Sequence, residues 1–140
     1  MVIFLALAVS QALPASANFA NPNSSMRGAV EDQLIGVNIT PINVKSGGTI
    51  TATGYVQWWC SSTCNPPGWQ PNGGMEVHLD HVAVNGTWYM WTKGTTDSNG
   101  YFSLQCQVPT IPGTYNFGVY VLQTDSDAGT WAGPWVVTVY

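Results

Sequence analysis

From Leu34 onward, apolar and polar positions alternate with a period of two, broken at short intervals by turn residues. Such alternation is the mark of half-buried β-strands. It predicts strands over residues 34–40, 49–59, 75–84, 87–93, 101–108, 114–123 and 135–140. In the second, Ile50, Ala52, Gly54, Val56 and Trp58 share one face, and Thr49, Thr51, Thr53, Tyr55 and Gln57 the other. Phe102, Leu104, Cys106 and Val108 form an inward set, as do Tyr115, Phe117, Val119 and Val121, and Trp135, Val137 and Val139. The last strand is expected to start just after Pro134, which suits a strand start. Seven short strands with no helix among them predict an all-β, antiparallel sandwich of the immunoglobulin-like kind.

The first twenty residues read differently. Met1 to Val9 are unbroken apolar residues, and Leu13-Pro14 precedes the small-residue run Ala15-Ser16-Ala17. Three readings stay open. A secretory signal has a short apolar stretch and an A-x-A-like cleavage site, which would place cleavage before Asn18; the usual basic n-region is missing. A retained hydrophobic segment would rise about 25 Å as a helix. That is short of a lone membrane span but long enough to pack against copies of itself. A buried segment of the main domain is the third. Asn21-Pro22-Asn23-Ser24-Ser25 is a linker signature. The expected organisation is thus a hydrophobic segment at 1–20, a linker at 21–32 and a sandwich at 33–140.

Composition narrows the partners. Of 140 residues only 7% are charged, against about 25% in an average soluble domain. The basic residues are Arg27, Lys45 and Lys93. Nucleic-acid binding needs many phosphate contacts, so no nucleic-acid partner is expected. Both leading readings of the N-terminus place the domain outside the cytoplasm. Sequons occur at Asn23, Asn38 and Asn85, each a candidate glycosylation site and equally a turn or strand asparagine.

An exported chain with three cysteines should hold one disulfide and leave one thiol. Cys60 ends the second strand and Cys106 lies late in the fifth, so antiparallel pairing puts them near opposite ends. Ten residues of strand span about 33 Å, too far for a disulfide. Cys60–Cys64 is the expected bridge, with Cys106 a small core residue.

Glu76-Val77-His78-Leu79-Asp80-His81 is the densest titratable stretch. Alternation puts Glu76, His78 and Asp80 on one face, expected to be solvated, and His81 on the other. The two histidines therefore cannot hold one ion from a regular strand. Asp97-Ser98-Asn99 and Asp125-Ser126-Asp127 are oxygen-rich loops that could bind calcium and that also make sense as turns without a metal. No nucleophile-and-base arrangement appears, so neither catalysis nor a metal or cofactor is expected. Seven tryptophans are the unusual count. Trp58, Trp135 and Trp88 are expected in the core; Trp59, Trp69, Trp91 and Trp131 are expected as surface aromatic contacts. Such rings stack on sugars or are buried against another subunit.

Two stretches resemble the Ig-like domains of prokaryotic surface proteins. One runs from Val44-Lys45-Ser46-Gly47-Gly48 into the strand from Thr49. The other is Thr96-Asp97-Ser98-Asn99-Gly100-Tyr101-Phe102, followed by Val108-Pro109 and Pro112-Gly113-Thr114-Tyr115. Asp97-Ser98-Asn99-Gly100 is expected as a hairpin turn. The whole arrangement also resembles pilin-like subunits of extracellular filaments, particularly archaeal type IV-like pilins. The resemblance implies a homopolymer at the cell surface, assembled through Val2, Ile3, Phe4, Leu5, Leu7, Val9 and Leu13. Pro14 and Asn21-Pro22 interrupt a helix, so assembly by a strand donated to a neighbouring sandwich stays open beside a helical core. The competing reading is a secreted monomeric binding module, with carbohydrate as a candidate ligand.

Overall fold

The computed structural model describes residues 30–83 and 85–140. The segment 1–20, most of the linker and Asn23 lie outside them. Nine strands are formed: β1 (Asp32–Thr40), β2 (Asn43–Val44), β3 (Thr49–Cys60), β4 (Gly68–Pro71), β5 (Glu76–Val82), β6 (Trp88–Thr95), β7 (Tyr101–Gln107), β8 (Gly113–Val121) and β9 (Thr130–Val139). No helix occurs among the described residues.

The strands form two sheets. In the four-stranded sheet, β3 pairs antiparallel with β1 along one edge. Its other edge pairs first with β7 and then with β4. The five-stranded sheet has the order β2-β9-β8-β5-β6. The chain changes sheets between β1 and β2, where the Thr40–Pro41 bond is cis, and β2 then pairs parallel with β9. Tyr115, near the start of β8, donates its hydroxyl to the Ile111 carbonyl at 2.6 Å. This arrangement is an immunoglobulin-like β-sandwich.

The inward faces read from alternation are the observed core. Ile50, Ala52, Val56, Phe102, Leu104 and Cys106 meet Val77, Leu79, Phe117, Val119, Val121 and Val137 between the sheets. Thr49 pairs with Gln107 and Ile50 with Cys106, so Cys106 lies at the opposite end of β3 from Cys60. The Cys60–Cys64 disulfide is formed. Burial pushes the remaining Cys106 thiol up to about 12, which keeps it protonated.

Several details differ from the pattern. β2 and β4 are too short to give a periodic signal. β9 starts at Thr130 and runs through Pro134, with the register shift in β8–β9 pairing falling between Phe117 and Val119. Asp97 does cap its turn, accepting Asn99 N at 2.8 Å and Tyr101 N at 3.0 Å. The flanking strands β6 and β7 belong to different sheets, however, so the turn is a crossover and not a hairpin. In β1 the register shifts between Ile35 and Asn38, at Gly36 with φ +60°. This bulge lets both Leu34 and Ile39 face inward despite their odd spacing.

Candidate binding face

The outward side of the four-stranded sheet is built by register. Trp59 on β3 pairs with Trp69 on β4, and their rings meet edge to face with centroids 5.4 Å apart. The next outward row holds Gln33, Gln57 and Pro71. Gln33 Nε2 donates to Gln57 Oε1 at 2.8 Å. The row after that holds Ile35, Tyr55 and Tyr101, with the tyrosine centroids 5.2 Å apart. Beyond Tyr55 the face turns to Thr53, Asn38 and Ser103, then Thr51, Thr40 and Gln105. Tyr55 is 43% exposed and Trp59 37%. The one charged residue in this register is Glu31, whose carbonyl accepts Trp59 N at 2.8 Å. The result is a broad neutral surface, aromatic and amide-bearing at one end and hydroxyl-rich at the other.

Of the four tryptophans expected outside, Trp59 and Trp69 belong to this face. Trp91 does not: it is buried in the core. The β5–β6 register shifts between Leu79 and Asp80, which pair with Thr92 and Met90. Trp91 is the extra residue of that bulge and turns inward. Its indole N–H donates to the Gln107 carbonyl at 2.6 Å, tying the two sheets together. Trp131 is half-buried on the outer side of the five-stranded sheet, where its ring meets Trp88 edge to face at 5.9 Å. Trp58, Trp88 and Trp135 are partly exposed and not fully in the core. Tyr55, Tyr101, Gln33 and Gln57 carry no signal of this face in the sequence, because only the strand register sets them side by side with Trp59 and Trp69.

The expected solvated face of β5 is open at Glu76 and covered at the other two positions. His78 and Asp80 are buried. Alternation groups residues by side, and a sheet's second side need not face water. Here β8 and β9 bring Tyr120 and Trp131 alongside. His78 Nε2 lies 2.6 Å from Glu76 Oε2, with Lys93 4.0 Å from the same oxygen. The His78 hydrogen bond holds the Glu76 carboxyl below its ordinary value. Both Asp80 oxygens and His78 Nδ1 are buried without a hydrogen-bond partner, and burial pushes Asp80 up to about 7. His81 faces inward as expected, its ring 4.7 Å from Trp91 and near Tyr115 and Phe117. Burial lowers its proton affinity.

A second carboxylate group joins the start of β1 to the β8–β9 loop. Asn72 Nδ2 donates to Asp32 Oδ1 and Asp127 Oδ1, each at 3.0 Å, and Gly129 N donates to Asp32 Oδ2 at 2.9 Å. Thr124 and Ser126 hydroxyls hold the other Asp127 oxygen. Burial, opposed by the Gly129 bond, raises Asp32. Among the described residues no group of three or more His, Cys, Asp or Glu is placed to hold a metal ion. Asn38 and Asn85 are exposed, on β1 and in the β5–β6 turn.

No protein-family model matches the chain, and no curated protein matches it. Solved structures do. An alkylpurine DNA glycosylase from Pseudomonas fluorescens aligns at 13% identity and TM-score 0.47, over 88% of this chain and 34% of that one. The adhesin InvE from Yersinia pseudotuberculosis aligns at 13% and 0.45, over 80% and 32%. The CARDB domain of a Pyrococcus furiosus protein aligns at 17% and 0.41, over 79% and 90%. The chain spans about a third of the first two. At these scores the likenesses carry no functional argument.

Proposed function

We propose that this chain is a structural subunit of an extracellular filament, displaying an Ig-like sandwich and polymerising through its hydrophobic N-terminal segment. The observation that supports this is an exposed apolar patch at one end of the sandwich. Ile42, Ile111, Val136 and Tyr140 are each more than half exposed. Thr138 N donates to the Ile42 carbonyl and Ser46 N to the Tyr140 carbonyl, and the Ser46 hydroxyl reaches the Thr110 carbonyl, which brings Ile42, Tyr140 and the neighbour of Ile111 to β2 and the end of β9, with Val136 two residues before Thr138 on β9. Large apolar side chains grouped on a surface mark contact with another chain. Repeated contacts between different patches of identical subunits generate filaments. The disulfide and the scarcity of charge agree with life outside the cytoplasm.

A second reading is a secreted monomeric binding module. The observation in its favour is the aromatic and amide face of the four-stranded sheet, which packing between copies does not require.

Two measurements on the native extracellular protein separate them: N-terminal sequencing, and sedimentation with electron microscopy. The filament reading expects residues 2–13 to be retained and the protein to sediment as a polymer that Ile111→Asp with Tyr140→Asp shortens. A monomer that begins at Asn18 overturns it.

A further inference from the structure

We propose that the outward face of the four-stranded sheet binds a neutral polysaccharide chain. The proposal is independent of polymerisation, since a filament subunit and a free module would present this face alike.

Trp59 and Tyr55 lie four residues apart on one strand, about 13 Å at the usual rise. Each is paired sideways with a second ring, Trp69 and Tyr101 respectively. Two aromatic platforms are thus fixed along one line, and the Gln33–Gln57 pair lies between them. A sugar ring has apolar C–H faces and a rim of hydroxyls. Aromatic platforms suit the first and side-chain amides the second. The 2.8 Å bond from Gln33 Nε2 to Gln57 Oε1 orients both amides and leaves Gln33 Oε1 and Gln57 Nε2 outside that bond, one acceptor and one donor. A hydroxyl both gives and receives a hydrogen bond, so it can use either.

Charge selects among polymers. No lysine or arginine lies in the outward register of this sheet, and its one charged residue is Glu31. A polyanion would be repelled by Glu31 and would find no cation. A neutral chain meets no such repulsion on this surface. The two ring pairs and the Gln33–Gln57 bond already restrict these side chains, which lowers the freedom lost on binding.

The test is affinity electrophoresis of the full chain in gels containing hydroxyethylcellulose or glucomannan as neutral probes, with polygalacturonate as the anionic one. Retardation by a neutral polymer is expected. Trp59→Ala and Tyr55→Ala should each weaken it about tenfold, the effect of about 1.4 kcal/mol, while Trp59→Phe keeps most of it. Gln57→Glu truncates nothing and should weaken it too, which separates lost binding from lost folding; thermal melts check each variant. No retardation by either neutral polymer overturns the proposal. So does stronger retardation by polygalacturonate, or retardation unaltered in both alanine variants. If Trp59→Ala instead dissociates an oligomer and leaves polysaccharide retardation untouched, the face is a contact between copies and the proposal fails.

Discussion

Asp80 on β5 lies directly across from Gly118 on β8, with both carboxylate oxygens buried and without a hydrogen-bond partner. A buried acid in this position favours its neutral form, and burial raises Asp80 to about 7. The native state then binds a proton that the unfolded chain has already lost. Stability from this group is fully present below the ordinary value of 3.8 and falls as pH rises toward 7, by about 1.4 kcal/mol per unit. Asp80→Asn cannot ionise. Its melting temperature should lose this fall between pH 4 and 7 and exceed the wild type above pH 7. His81 acts oppositely, since its lowered proton affinity costs stability as pH falls below 6.5. It is common to both proteins, so the difference between the two melting curves isolates Asp80. Parallel curves would refute the assignment.

Gly118 allows the cover over that carboxylate. A Cβ there would stand 3.0 Å from Trp131 Nε1 and 3.1 Å from the Trp88 ring. The two indoles meet edge to face above it. Gly118→Ala would force both rings outward, at a cost of about 1–3 kcal/mol typical of overpacking. A lower urea midpoint with red-shifted tryptophan emission is the expected outcome; an unchanged midpoint would mean that the rings move freely.

Asn72 keeps two acids compatible. Its one amide nitrogen serves both Asp32 and Asp127. Asn72→Ala removes both bonds and leaves the carboxylates facing each other, so the loss should be about 2 kcal/mol and should be larger at pH 8 than at pH 4, where Asp32, raised to about 6, is protonated and the repulsion is relieved. Chemical denaturation at the two pH values checks this.

Much of the fold was legible because β3, β7 and the end of β9 each bury one side. The inward sets at Ile50–Val56, Phe102–Cys106 and Val137–Val139 follow from period two alone. What alternation cannot show is whether the other side is also covered, and so His78 and Asp80 read as solvated. Nor can it foresee a bulge: one extra residue in β6 turns Trp91 from the surface into the core. The binding face was half legible. Trp59 and Trp69 stand out by type and by their place near the Pro-rich loop. Tyr55, Tyr101 and the two glutamines become neighbours only through pairings between strands far apart in sequence.

The Cys60–Cys64 disulfide links the end of β3 to the turn that leads into β4. Through the pairing of Trp59 with Trp69, it also fixes one aromatic platform of the proposed polysaccharide face. A loop this short contributes about 2 kcal/mol by restricting the unfolded chain. The core pairing of β3 with β7 lies at the other end and does not depend on it. Replacing both cysteines by serine should therefore lower the denaturation midpoint modestly and leave the far-UV spectrum intact. Near-UV tryptophan circular dichroism should weaken as Trp69 loses its fixed angle to Trp59. If β4 is held by the disulfide, retardation by neutral polysaccharide should fall several-fold, with the Tyr55 platform still in place. Undiminished retardation together with an unchanged near-UV spectrum would show that the ladder from Gln57 to Cys60 holds β4 unaided.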